Sequence, residues 1–166
     1  MAHGGLSALI LDDNAHMRGL LRAILSGFNV RQIEEASDAF DALQILRATS
    51  LDLAFVDFRL AGLDGLEFCR LVRTASDSPN PYLPIIMVTA YSERSRVVEA
   101  INAGVDEFLV KPVRAIDVAS RLNAVIERRR PFVRTHDFFG PDRRRKDDPK
   151  YRGPMRRSSD PSSVDI

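Results

Sequence analysis

Cysteine is nearly absent from the 166 residues: Cys69 is alone, so neither an intrachain disulfide nor a multi-cysteine metal site can form. A lone cysteine of this kind is expected to pack as a small hydrophobe on its helix. Long apolar runs are missing too. None approaches the roughly 18–20 residues of a membrane-spanning helix, which argues against membrane insertion. Met1-Ala2-His3-Gly4-Gly5 lacks the charged start and apolar stretch of a secretion signal. The expected location is therefore the reducing cytoplasm. His3, His16 and His136 share no ligand-like spacing, and Gly4-Gly5 opens no G-x-G-x-x-G loop for a dinucleotide. No helix-turn-helix or comparable module fits in the C-terminal residues, which excludes a two-domain transcription factor.

What is present has an ordinary globular balance, 45% hydrophobic and 28% charged, enough for one compact domain with an appendage. The net charge of +1 is unevenly spread. Residues 1–127 hold 12 Lys and Arg against 17 Asp and Glu, a net of −5, and residues 128–166 hold 12 against 6, a net of +6. An acidic body and a basic tail are thus expected to have different jobs.

Short apolar runs alternate with helical periodicity along residues 1–130. Leu6 to Leu11 ends in Asp12-Asp13, and Met17, Leu20, Leu21, Ile24 and Leu25 then recur at helical spacing. Val30 to Ala36 is a weaker strand candidate. Ser37-Asp38 reads as a helix cap, with Phe40, Leu43 and Leu46 on one face after it. Leu53 to Val56 stops at Asp57, Gly62 and Gly65 break the following loop, and a helix carries Leu66, Cys69 and Val72. Ile85 to Val88 ends at Thr89, and a helix from about Arg94 to Ala103 closes at Gly104. Phe108-Leu109-Val110 precedes Lys111-Pro112, and a last helix over about Ala115 to Arg129 presents Ile116, Ala119, Leu122 and Ile126.

Apolar strands alternating with helices predict an α/β fold, a five-stranded parallel sheet covered on both faces. Ligands of such doubly wound sheets bind beyond the C-terminal strand ends. Asp12, Asp13, Asp57, Thr89 and Lys111 fall at those ends. Three gathered carboxylates repel unless a proton or cation offsets them, and a hard ion such as Mg²⁺ takes oxygen ligands. Lys111 adds positive charge, Thr89 a hydroxyl, and an aspartate can attack phosphorus to form an acyl phosphate. An aspartate-nucleophile phosphatase fits less well, because Asp57 is followed by Phe58-Arg59 and lacks the second aspartate of a D-x-D pattern.

Asp12-Asp13, Asp57, the Asp64-Gly65 pair, Thr89 and Lys111-Pro112, in this order and at these separations, resemble the response-regulator receiver family over about residues 6–128, most closely its chemotaxis type. The resemblance implies a flavodoxin-like sheet of order 2-1-3-4-5. It implies a phosphorelay protein that accepts a phosphoryl group on Asp57 from a sensor histidine kinase or a histidine phosphotransfer protein, catalysing its own transfer with Mg²⁺. Asp13 and Asp57 would bind the ion with the Arg59 backbone carbonyl, and Asp12 largely through water. Thr89 and Lys111 would contact the phosphoryl group, Phe108 would be the aromatic switch, and the Lys111-Pro112 bond would be cis. Arg59 and Tyr91 occupy the positions that tune phosphoryl lifetime, and Ala61 stands where proline is common.

Residues 131–166 form a Pro- and Arg-rich tail with an imperfect G-P-x-R-R repeat: Gly140-Pro141-Asp142-Arg143-Arg144 returns as Gly153-Pro154-Met155-Arg156-Arg157. Each copy follows an aromatic, Phe139 or Tyr151, and no folded output domain is expected there. A downstream protein target is the expected readout. Nonspecific nucleic-acid or acidic-surface binding by the tail, its folding back on the body, and a homodimer are the alternatives left open.

Overall fold

The computed structural model describes residues 5–90, 94–143 and 162–164. Five strands alternate with five helices: β1 Ser7–Leu11, α1 Ala15–Gly27, β2 Gln32–Ala36, α2 Ala39–Ala48, β3 Leu53–Asp57, α3 Gly65–Thr74, β4 Ile85–Thr89, α4 Arg94–Asn102, β5 Glu107–Val110 and α5 Ala115–Glu127. The strands form one parallel sheet of order β2-β1-β3-β4-β5.

Strand pleating sends successive side chains to opposite faces, and this chain fills both. Leu9, Leu11, Ala54, Val56, Ile85 and Met87 pack against α2, α3 and α4, while Ala8, Ile10, Phe55, Ile86, Val88 and Leu109 pack against α1 and α5. Polar caps set where the helices begin. The Asn14 side chain accepts hydrogen bonds from the amides of His16 and Met17, Asp38 accepts from Asp41, and Asp64 with Glu67 forms a reciprocal capping box. Gly104 just past α4 has a φ of +94°, a conformation that favours glycine.

Four apolar residues expected on core faces point outward. Phe40 is 68% exposed and Ile116 is 70% exposed. Ala39, Ala42 and Leu46 fill the inward face of α2, and Val118, Leu122 and Val125 that of α5. With about 100° of rotation per residue, Phe40 next to Ala39 and Ile116 two before Val118 must turn away. Leu20 beside Leu21 and Ile126 beside Val125 are displaced by the same geometry. The second strand begins at Gln32, two residues later than the apolar pattern suggests, because Val30 is buried in the preceding turn.

Beyond α5 the chain forms β6 Phe132–Arg134, β7 Phe139–Pro141 and β8 Ser162–Val164, a small antiparallel sheet of order β7-β6-β8. The expected boundary at residue 130 falls inside continuous packing. Phe132 is fully buried, forms a triangle of ring contacts with Tyr82 and Phe139 at 5.2–5.4 Å, and lies under the guanidiniums of Arg73 and Arg129. Arg73 is itself buried. It donates to the carbonyls of Gly104, Pro81 and Leu83 at 2.7–2.9 Å and to the Asp106 carboxylate at 2.9 Å. Asp106 also receives Arg129 Nε at 3.0 Å and the Ile85 amide at 2.9 Å. The C-terminal hairpin is thereby fixed at the end of the sheet where β4 and β5 begin, opposite their ends at Thr89 and Lys111. The second copy of the tail repeat, with Tyr151, lies outside the described residues.

Candidate functional site

The C-terminal ends of β1, β3, β4 and β5 bring Asp12, Asp13, Asp57, Thr89 and Lys111 to one edge of the sheet. Backbone hydrogen bonds hold each loop in place. The Asp12 amide donates to Ala36 at 3.1 Å, the Phe58 amide to Val88 at 2.9 Å, and the Lys111 amide to Thr89 at 2.8 Å. The Lys111–Pro112 peptide bond is cis. After β3 the chain turns so tightly that a side chain at Gly65 would put its Cβ 2.2 Å from the Asp57 carbonyl oxygen. Only glycine lets α3 start this close to the strand end.

Asp12 and Asp57 are buried and Asp13 is exposed, yet carboxylate oxygens of all three lie within 4.8 Å of one another. Lys111 Nζ is 3.2 Å from Asp57 Oδ1 and 3.9 Å from Asp12 Oδ2. Burial pushes the Asp57 carboxyl above the ordinary carboxylate range and the neighbouring Asp12 charge adds to this; Lys111 and the Arg59 backbone amide pull it back. Burial likewise raises Asp12, opposed chiefly by a 2.8 Å hydrogen bond from the Asn14 amide to Oδ1. Asp12 Oδ2, by contrast, is buried without a hydrogen bond. An all-oxygen donor set, more negative charge than one lysine offsets, and an oxygen left unbonded inside the protein fit a hard divalent cation such as Mg²⁺.

Thr89 is buried at the rim, and Phe108 is half-buried against the cluster under α2, α3 and α4. Tyr91 lies outside the described residues. Two features at this edge escaped the sequence reading. Arg18, one turn beyond the Asn14 cap, donates to the Asp12 carbonyl at 2.8 Å and pairs with Glu35 at 3.4 Å. Its i+4 spacing from Asn14 was the available signal. The Arg96 guanidinium covers the Phe58 ring at 4.9 Å, a pairing across 38 residues that no local pattern encodes.

Residues 8–123 match the family model described as the response regulator receiver domain. Among curated proteins, the chain is 32% identical over 123 residues to the chemotaxis protein CheY of Pseudomonas aeruginosa, covering 74% of this chain and 98% of that protein. It is 30% identical over 123 residues to the chemotaxis protein CheY-3 of Vibrio cholerae, covering 74% and 93%. Among solved structures, a putative response regulator from Chloroflexus aurantiacus superimposes with a TM-score of 0.68 at 28% identity, covering 74% of this chain and 98% of that one.

Proposed function

This chain belongs to the response regulator receiver family, the phosphorelay signalling class, and from that premise we propose that Asp57 is its phosphoacceptor. The observation that carries the reading is the 3.2 Å approach of Lys111 Nζ to Asp57 Oδ1 at a strand-end cluster of three aspartates.

Receiver domains interact with histidine kinases or phosphotransfer proteins and with downstream targets. A phosphohistidine of such a partner is the proposed donor. A carboxylate oxygen of Asp57 attacks phosphorus, an O–P bond forms, the P–N bond breaks, and the departing imidazole regains its electron pair and a proton. Lys111 favours the ionised nucleophile and then offsets charge on the phosphoryl oxygens, to which Thr89 donates its hydroxyl. Asp12, Asp13, Asp57 and the Arg59 carbonyl are the groups that would hold Mg²⁺, whose chemistry there is neutralisation of phosphoryl charge. Arg59 and Tyr91 would govern water access to the acyl phosphate. Phe108 would report Thr89's new contact to the exposed surface, giving a phosphorylation-dependent protein contact as output.

The test is intact-protein mass after incubation with Mg²⁺ and phosphoramidate or acetyl phosphate. One phosphoryl adduct is expected on the wild type, none on Asp57→Ala, and none with EDTA. An adduct of equal yield on Asp57→Ala overturns the assignment.

A further inference from the structure

Helix α4 is gripped at both ends by residues far from it in sequence. In its first turn, Arg96 covers the ring of Phe58 at 4.9 Å. Phe58 follows Asp57 directly, and both its backbone groups are committed, the amide to Val88 at 2.9 Å and the carbonyl to the Gly65 amide at 3.2 Å. Phe58 is thus held on both sides next to Asp57, so a contact that braces its ring also braces the turn that aims the Asp57 carboxylate. At the other end, Asn102 Oδ1 accepts from Arg143 Nη1 at 2.9 Å, and the Arg143 guanidinium lies over Phe138 at 4.4 Å. Gly104 meets the C-terminal hairpin face to face: a Cβ on Gly140 would lie 2.9 Å from the Gly104 Cα, and a Cβ on Gly104 would lie 3.2 Å from the Phe139 carbonyl oxygen.

Between these two grips runs a nine-residue helix, a rod of about 13 Å at 1.5 Å per residue. Hydrogen-bonded helices move as units, so the end fixed by the hairpin constrains the end that carries Arg96. Part of the domain's basic C-terminal segment is therefore joined to the Asp57 turn through α4 and the Arg96–Phe58 contact, in addition to the link through α3, whose Arg73 holds Phe132 and whose Gly65 abuts Asp57.

We propose that Arg96 is a positioning residue for the Asp57 turn, and that the β6–β7 hairpin regulates phosphoryl transfer by setting where α4 sits. The proposal rests on Asp57 being the phosphoacceptor for its rate consequence, and on geometry alone for its structural one. Linkage makes it reciprocal: if the hairpin's seating alters the energetics of phosphorylation, phosphorylation alters the hairpin's seating.

The test uses the full chain and four variants: Arg96→Met, Arg96→Lys, Arg143→Met and the Arg96→Met/Arg143→Met double. Residue-resolved hydrogen exchange is measured first, without a phosphodonor. Arg143→Met is expected to speed exchange of the Phe58 amide about two- to fivefold, the range of a partly exposed cation–π contact. Phosphoryl uptake from phosphoramidate and adduct lifetime follow, both read by intact mass. Arg96→Met is expected to change uptake by about the same factor, with Arg96→Lys restoring most of it. The double variant should match Arg96→Met alone, because the hairpin acts through that side chain.

Unchanged Phe58 exchange in Arg143→Met overturns the proposal whether or not the chain is phosphorylated. So do wild-type uptake and lifetime in all four variants accompanied only by lower melting temperatures, which would make both contacts merely structural. A wild type that takes no phosphoryl group while Phe58 exchange still responds to Arg143→Met would instead overturn the phosphoacceptor reading and leave the α4 linkage standing.

Discussion

Lys111 and Asp57 meet at 3.2 Å across the width of β4, one side chain reaching from the end of β5 and the other lying at the end of β3. The contact places a partly buried cation against the proposed nucleophile. Lys111→Met keeps the aliphatic length and removes the charge. Its expected effect is about a hundredfold slower phosphoryl uptake, the scale seen when one preorganised charge-stabilising group is removed. Stopped time points read by intact mass check this; uptake within twofold of wild type would mean that Lys111 has no part in transfer.

Asp57→Asn should stabilise the domain in EDTA at neutral pH, because a neutral amide replaces a carboxylate whose charged form burial and the neighbouring Asp12 disfavour. The sign follows from burial. Asp57 and Asp12 both have folded pKa values raised above the ordinary range. Such groups contribute stability that is fully present below the unfolded pKa and is lost as pH rises through the folded one. The advantage of the variant should therefore shrink as pH falls toward the ordinary carboxylate range, where the wild-type carboxyl is protonated. Mg²⁺ should shrink it too. Thermal melts from pH 4 to 7.5, with EDTA and with Mg²⁺, test both arms.

Gly65→Ala is expected to cost about 2 kcal/mol or more, because its Cβ meets backbone and not a movable side chain. Relief requires shifting α3 away from the Asp57 carbonyl, so uptake should fall along with stability. Equal stability in urea titrations would show that this turn is softer than its geometry implies.

Asp106→Ala strips the buried Arg73 guanidinium of its carboxylate partner and Arg129 of its own. Removing one member of a buried ion pair costs about 3–5 kcal/mol, and burial already pulls the Arg73 pKa down. The expected outcome is a drop of that size in urea unfolding free energy, with Phe132 and Phe139 becoming accessible together. A loss below about 1 kcal/mol would mean that the carbonyls of Pro81, Leu83 and Gly104 suffice to solvate Arg73.

The sheet and its ligand edge were legible in the residues because both depend on short-range signals: short apolar runs, four of the five stopped by Asp, Thr or Lys. Caps such as Asn14, Asp38 and Asp64 were legible for the same reason. Helix facing was not, since Phe40 and Ile116 sit one or two residues from the inward positions and carry apolar side chains all the same. The hairpin was less legible still. Phe139 stood out only as the aromatic before the first G-P-x-R-R copy and Phe132 drew no reading, because their burial depends on Arg73, Tyr82, Gly104 and Asp106, which no periodicity connects to them. Likewise the tail's first G-P-x-R-R copy reads as charge, yet its Gly140 is a contact surface.

Cys69 lies fully buried on the inward face of α3, with its thiol donating to the Ala103 carbonyl at 3.2 Å and burial pushing its pKa up to about 12. The thiolate that alkylating reagents require is then scarce at neutral pH. In practical terms the native chain is a blank for thiol chemistry. A cysteine introduced at exposed His136, in the turn between β6 and β7, would be the single reactive handle on an otherwise unmodified protein. One dye placed there, far from Asp57, would turn the seating of the hairpin into an optical signal without a second engineered site.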